Sequence, residues 1–65
     1  MLTKNHIDLI IEAKRKYPRM MHLEGKSLSD CFTENNNDLC FWFDIPMENG
    51  KLSTTMIRKK GCLND

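Results

Sequence analysis

Long apolar runs, paired cysteines and a marked excess of either charge are all missing from this 65-residue chain, and each absence removes a class of protein. No stretch approaches the roughly 18 apolar residues of a membrane-spanning helix, so no membrane partner is expected. The three cysteines, Cys31, Cys40 and Cys62, are an odd number with no CxxC pair. A secreted disulfide scaffold of this size carries an even set, so reduced, partly buried thiols are expected instead. Ten Lys and Arg against nine Asp and Glu leave a net charge of +1, which supplies no global attraction to nucleic acid or to an acidic membrane. The segment Met1-Leu2-Thr3-Lys4-Asn5 lacks the apolar stretch and small-residue cleavage site of a secretory signal, and a cytoplasmic location is expected.

Catalytic signatures are missing too. There is no nucleophile elbow, no glycine-rich phosphate loop and no pair of histidines at helical spacing. His6, His22, Cys31, Cys40 and Cys62 include no two ligands at the short spacing of small zinc domains, so no metal or other cofactor is expected. Asp30 and Asp44 fall on opposite faces in the register derived below, which argues against shared acid–base work. A chain this short also seldom encloses a pocket by itself. The expectation is a protein that is not an enzyme and has no small-molecule substrate.

The most informative segment that is present is Leu39-Cys40-Phe41-Trp42-Phe43-Asp44-Ile45. Extended, it sends Leu39, Phe41, Phe43 and Ile45 to one face and Cys40, Trp42 and Asp44 to the other. A strand that is apolar on one side and carries the chain's one tryptophan on the other reads as central and asks for cover on both faces.

Upstream, Thr3 and Asn5 are both candidate N-caps, and Asp8 would sit near the positive end of a helix dipole. Ile7, Ile10, Ile11 and Lys14 follow i, i+3, i+4, i+7 spacing. Lys14, Arg15 and Lys16 suit the last turn and Pro18 stops the helix, which predicts a helix over residues 5–17. Residues 19–26 are ambiguous between a short strand and an irregular crossover. Strands are predicted over 28–33, 39–45 and 52–59, joined by Glu34-Asn35-Asn36-Asn37-Asp38 and by Pro46-Met47-Glu48-Asn49-Gly50-Lys51. A two-residue Asn49-Gly50 turn would set Met47 opposite Leu52, Phe43 opposite Met56 and Trp42 opposite Ile57. A four-residue loop Asn35–Asp38 would set Phe32 opposite Phe41 and Leu28 opposite Ile45. A three-residue loop would turn Phe32 to the Trp42 face.

The fold class that follows is α+β: one domain over residues 1–65, an N-terminal helix on a three-stranded antiparallel meander of order 1-2-3. The Leu39–Ile45 strand is central, and the tail 60–65 is a candidate for disorder. Leu28, Phe32, Leu39, Phe41, Phe43, Ile45 and Met56 would pack on Ile7, Ile10 and Ile11. The other face would carry Cys31, Cys40, Trp42, Ile57, Thr33 and Thr55.

Two functions from different classes fit this outline. Cys31, Cys40, Trp42 and Ile57 form a candidate interface for a protein partner or a second copy of the chain, since interface cores are rich in aromatics and poor in charge. The bland alternative is that residues 19–26 or Gly61-Cys62-Leu63 fold back over this patch. Lys14, Arg15, Lys16 and Arg19, with Arg58, Lys59 and Lys60, are the candidate contacts for nucleic acid if the two clusters converge. Cations at a helix C-terminus and at an exposed strand end equally serve structure alone, so the nucleic-acid reading ranks second.

Overall fold

The computed structural model describes residues 2–62. Its helix α1 spans Lys4–Lys16, and the strands β1 (Phe32–Asn35), β2 (Asp38–Pro46) and β3 (Leu52–Lys59) form one antiparallel sheet of order β1-β2-β3. The α+β meander read from the sequence is the observed fold, with β2 in the middle.

Helix α1 starts where Thr3, in extended backbone, caps it. The His6 backbone N–H donates to Thr3 Oγ1 at 3.4 Å, and the Thr3 backbone N–H donates to His6 Nδ1 at 3.0 Å. This is a capping box in which an imidazole takes the place usually held by Glu or Gln. Asn5, the other candidate cap, ties the helix to the sheet: its Oδ1 accepts from Lys59 Nζ at 3.0 Å. Lys14, Arg15 and Lys16 fill the last turn, where cations face the negative end of the dipole.

The buried face of α1 differs from the predicted one. Leu9 and Ala13 are the buried helix residues, Ile10 and Tyr17 pack beside them, and Ile7 and Ile11 stay 47% and 52% exposed. The i, i+4 pair of Leu9 and the small Ala13 lets the helix backbone approach the sheet closely. A ridge of three β-branched side chains would hold it off.

Below the helix, Leu39, Phe41 and Phe43 are at most 1% exposed. Four ring contacts run on in a chain: His6–Phe32 at 4.5 Å, Phe32–Phe41 at 4.7 Å, Phe41–Phe43 at 5.4 Å and Phe43–Tyr17 at 5.5 Å between centroids. Aromatic pairs at these distances add about 0.5–1.5 kcal/mol each beyond area burial. Cys31, Ile57, Met20, Leu23, Leu28 and Cys62 close the cluster.

The first hairpin has the expected register, with Phe32 opposite Phe41 and Asn35 opposite Asp38. Asn36 takes the left-handed conformation at φ 57°, which Asn tolerates better than most residues. The strand is shorter than predicted: Ser29–Cys31 forms one 3-10 turn, so Leu28 never pairs with Ile45. Met21 takes up part of the vacated edge of β2. Its N–H donates to the Asp44 carbonyl at 2.7 Å, and the Asp44 N–H donates back to the Met21 carbonyl at 2.9 Å. The ambiguous 19–26 segment is therefore a crossover with one bridging residue.

The second hairpin is shifted by one residue from expectation. Trp42 pairs with Met56, Phe41 with Ile57 and Pro46 with Leu52, so Glu48-Asn49-Gly50 is a three-residue loop. The Met47 carbonyl accepts from the Gly50 N–H at 3.0 Å and Gly50 adopts φ 82°, the arrangement of a turn followed by a glycine bulge. Because side chains alternate, the slip exchanges the faces of every β3 residue. Ile57 moves under the helix, and Met56, expected there, moves beside Trp42. At the end of β3, the Gly61 N–H donates to Asp38 Oδ1 at 3.0 Å and the Cys62 carbonyl accepts from Asn5 Nδ2 at 3.5 Å. The tail is thus anchored to residue 62, and the rest of it, Leu63 included, lies outside the described residues.

Two stability outcomes follow. Leu9→Ala should cost about 2–5 kcal/mol and Ile11→Ala should stay within about 0.5 kcal/mol, by urea unfolding; equal losses would contradict the helix orientation. Gly50 has open space around its Cα, so Gly50→Ala should cost about 1–2 kcal/mol through backbone strain alone. Gly50→Asn should cost less in the same assay.

Candidate interaction surface

The face of the sheet turned away from α1 is built from the even residues of β2 and their register partners. Its middle row is Trp42 with Met56. Cys40 with Thr33 and Arg58 lies on one side of that row, Asp44 with Thr54 on the other, and Pro46 with Leu52 beyond. Directly paired residues share a face, so Met21, paired with Asp44, joins the same surface.

The indole is held across the strands: Trp42 Nε1 donates to Thr33 Oγ1 at 2.8 Å. That bond lays the ring toward β1 and leaves it half-buried. Cys40, between Thr33 and Arg58 in register and next to Trp42 in β2, is 3% exposed. Asp44 is also buried. One carboxylate oxygen accepts from Thr54 Oγ1 at 2.7 Å, and among the described residues no cation lies within 4 Å of it.

Among the described residues the helix does not pack on that surface; Cys40 and Asp44 are nevertheless buried within it, and the partly exposed part is Trp42 and Met56 with the rim residues Met21 and Leu52. The crossover contributes Met20, Leu23 and Leu28 to the helix side of the sheet, and Cys62 packs there as well. Met21 and Leu52 remain about half exposed at the rim. Residues 19–26 therefore do not fold back over Trp42, and Leu63 lies outside the described residues.

Of the four candidate interface residues, Trp42 and Cys40 share this surface. Cys31 and Ile57 do not: both belong to the core under the helix. The 3-10 turn removes Cys31 from the strand and the register slip inverts Ile57. Cys31 and Cys40 consequently sit on opposite sides of the sheet, all three cysteines are free, and the Cys31 thiol donates to the Ser27 carbonyl at 3.4 Å. Met56 and Leu52 were legible only through a three-residue reading of the Glu48-Asn49-Gly50 loop. Met21 has no local signal at all.

The basic clusters do not converge. Lys59 Nζ lies 3.1 Å from Asp8 Oδ2, in the N-terminal half of α1, whereas Lys14, Arg15 and Lys16 occupy its last turn. Lys16 pairs with Glu12 at 3.6 Å and Arg58 with Asp38 at 3.9 Å. Lys14, Arg15, Arg19 and Lys60 are exposed. Among the described residues no three His, Cys, Asp or Glu side chains gather as a metal site would need, and no helix is long and apolar enough to cross a membrane. The groove at the second hairpin, lined by Pro46, Met47, Glu48 and Asn49, brings together no catalytic groups.

No family model, no curated protein and no solved structure matches this chain. The surface is therefore read from its own chemistry.

Thr54→Val should cost about 1–3 kcal/mol, because it strands the Asp44 carboxylate without its hydroxyl. Adding Asp44→Leu to Thr54→Val should recover most of that loss in thermal or urea unfolding. A neutral Thr54→Val would mean that solvent already satisfies Asp44.

Proposed function

We propose that this chain is a small, non-enzymatic cytoplasmic protein-interaction module whose docking surface is the sheet face around Trp42, with a second copy of the chain as its occupant. The observation that carries the reading is the one-sided cover of β2: the helix, the crossover residues Met20, Leu23 and Leu28, and Cys62 all pack on the Phe41 side. The Trp42 side keeps a tryptophan and three flanking apolar side chains in Met21, Leu52 and Met56, with Asp44 and Arg58 in the adjacent rows, which is the composition of an apolar interface core with a polar rim.

Self-pairing is supported by the arrangement of charge on this face. Arg58 and Asp44 lie in the rows on either side of Trp42–Met56. A two-fold axis lying over that row, perpendicular to the strands, would carry Arg58 of one copy over Thr54 of the other, one strand from Asp44 and within a guanidinium's reach of it, in exchange for its long contact with Asp38. Sheets stacked in this way lie about 10 Å apart, a spacing that Trp and Met side chains can fill. The separated and partly paired basic clusters favour nucleic acid less.

Analytical ultracentrifugation tests the reading. The wild type should dimerise in the micromolar range and Trp42→Glu should sediment as a folded monomer. Arg58→Glu, at an exposed position, serves the same purpose should Trp42→Glu fail to fold. A wild type that stays monomeric at high micromolar concentration would overturn self-association.

A further inference from the structure

A second surface lies on the opposite side of the molecule, on the outward face of α1. At about 100° per residue, Ile7 and Ile11 stand side by side, with Lys14 next to Ile7 and with Lys4 and Arg15 next to Ile11. All five side chains are exposed, and among the described residues none of the three cations is in an ion pair. The two acids of the helix border this stripe on the Arg15 side and are occupied by other cations, Asp8 by Lys59 and Glu12 by Lys16. A chain of net charge +1 thus concentrates three unpaired positive charges around two half-exposed isoleucines. This pair of β-branched residues contributes little to the core.

We infer that this stripe docks a protein partner that presents an apolar groove or helix ridge flanked by carboxylates. Charge complementarity selects that occupant: Ile7 and Ile11 would enter the apolar strip, as i, i+4 anchors do in helix-in-groove recognition, while Lys4, Lys14 and Arg15 meet the acidic rims and speed encounter. A second copy is disfavoured, because two such stripes laid together would oppose like charges. A lipid surface is disfavoured as well. In-plane membrane helices bury a broad apolar face rich in Trp, Phe and Leu, and the broad face of α1 is already spent on the sheet through Leu9, Ala13 and Ile10. The site is separate from the Trp42 face, and a dimer formed through that face would present one such stripe on each copy.

The test uses the intact protein and three probes: a synthetic helical peptide with leucines at i, i+4 and i+7 flanked by glutamates, the same peptide with lysines for the glutamates, and phosphatidylcholine vesicles containing phosphatidylserine. NMR titration should show the acidic peptide shifting Lys4, Ile7, Ile11, Lys14 and Arg15, with binding that weakens as salt rises and little response to the lysine peptide or the vesicles. Ile7→Asp with Ile11→Asp should weaken binding by at least about tenfold, the worth of burying the free halves of two isoleucines. Both positions are exposed, so the double variant should keep the wild-type circular dichroism. Lys14→Glu should weaken binding with no change in fold, and Trp42→Glu should leave it unchanged, which separates this surface from the other. The inference is overturned if the acidic peptide binds no better than the lysine peptide, if only the vesicles bind, or if the isoleucine variants bind as the wild type does.

Discussion

The asymmetric burial of β2 is the constraint from which the rest of the molecule follows. Leu39, Phe41 and Phe43 are sealed on one side, and among the described residues most of the available cover is drawn to them: the Leu9–Ala13 edge of the helix, Met20, Leu23 and Leu28 of the crossover, Ile57 of β3 and Cys62. A domain of this size buries only about 60% of the surface its unfolded chain exposes. One aromatic layer uses that capacity. The opposite layer, with Trp42 at its centre, is left to hydrogen bonds such as Trp42–Thr33 and Asp44–Thr54 and, in the proposed function, to a second copy of the chain.

The cross-links between elements serve the same layer. Lys59 reaches from the end of β3 to Asn5 and Asp8, and Asn5 also holds the Cys62 carbonyl, so the first turns of the helix are fastened to the sheet. Met21 performs a comparable task at the other end, by pairing with Asp44 where β1 has already ended. Each contact is modest; exposed ion pairs such as Lys59–Asp8 contribute about 0.2–1 kcal/mol. Together they fix the helix over Phe41 and Phe43 and so determine which side of β2 stays bare.

Much of this was legible in the sequence. Thr3, Pro18 and the basic last turn bracket the helix, the Asn-rich loop sets the first hairpin, and alternation from Leu39 to Ile45 identifies the central strand. Three features were not legible, each for a physical reason. The helix offers two apolar edges, Leu9–Ala13 and Ile7–Ile11, and periodicity alone favours the bulkier one, while close packing on a flat aromatic layer favours the smaller. Asn49-Gly50 suits a two-residue turn by itself, yet Gly50 serves equally as the left-handed residue of a three-residue loop, and burial of Ile57 against Phe41 accompanies the second. Leu28-Ser29-Asp30 reads as the start of a strand, but the Asp30 and Cys31 N–H groups bond back to the Ser27 and Leu28 carbonyls and make a turn. The last two effects moved Ile57 and Cys31 off the candidate interface, while Trp42 and Cys40 stayed on it.

The central claim is that the Trp42 side of β2 is covered by a second molecule and not by this chain. Iodide quenching of Trp42, the chain's one tryptophan, read together with its emission maximum across a dilution series, tests it most directly. The account expects a partly accessible indole with red-shifted emission in dilute solution that becomes blue-shifted and protected as concentration rises. An indole that is fully protected and blue-shifted at every concentration, down to dilutions where the protein is monomeric, would contradict it.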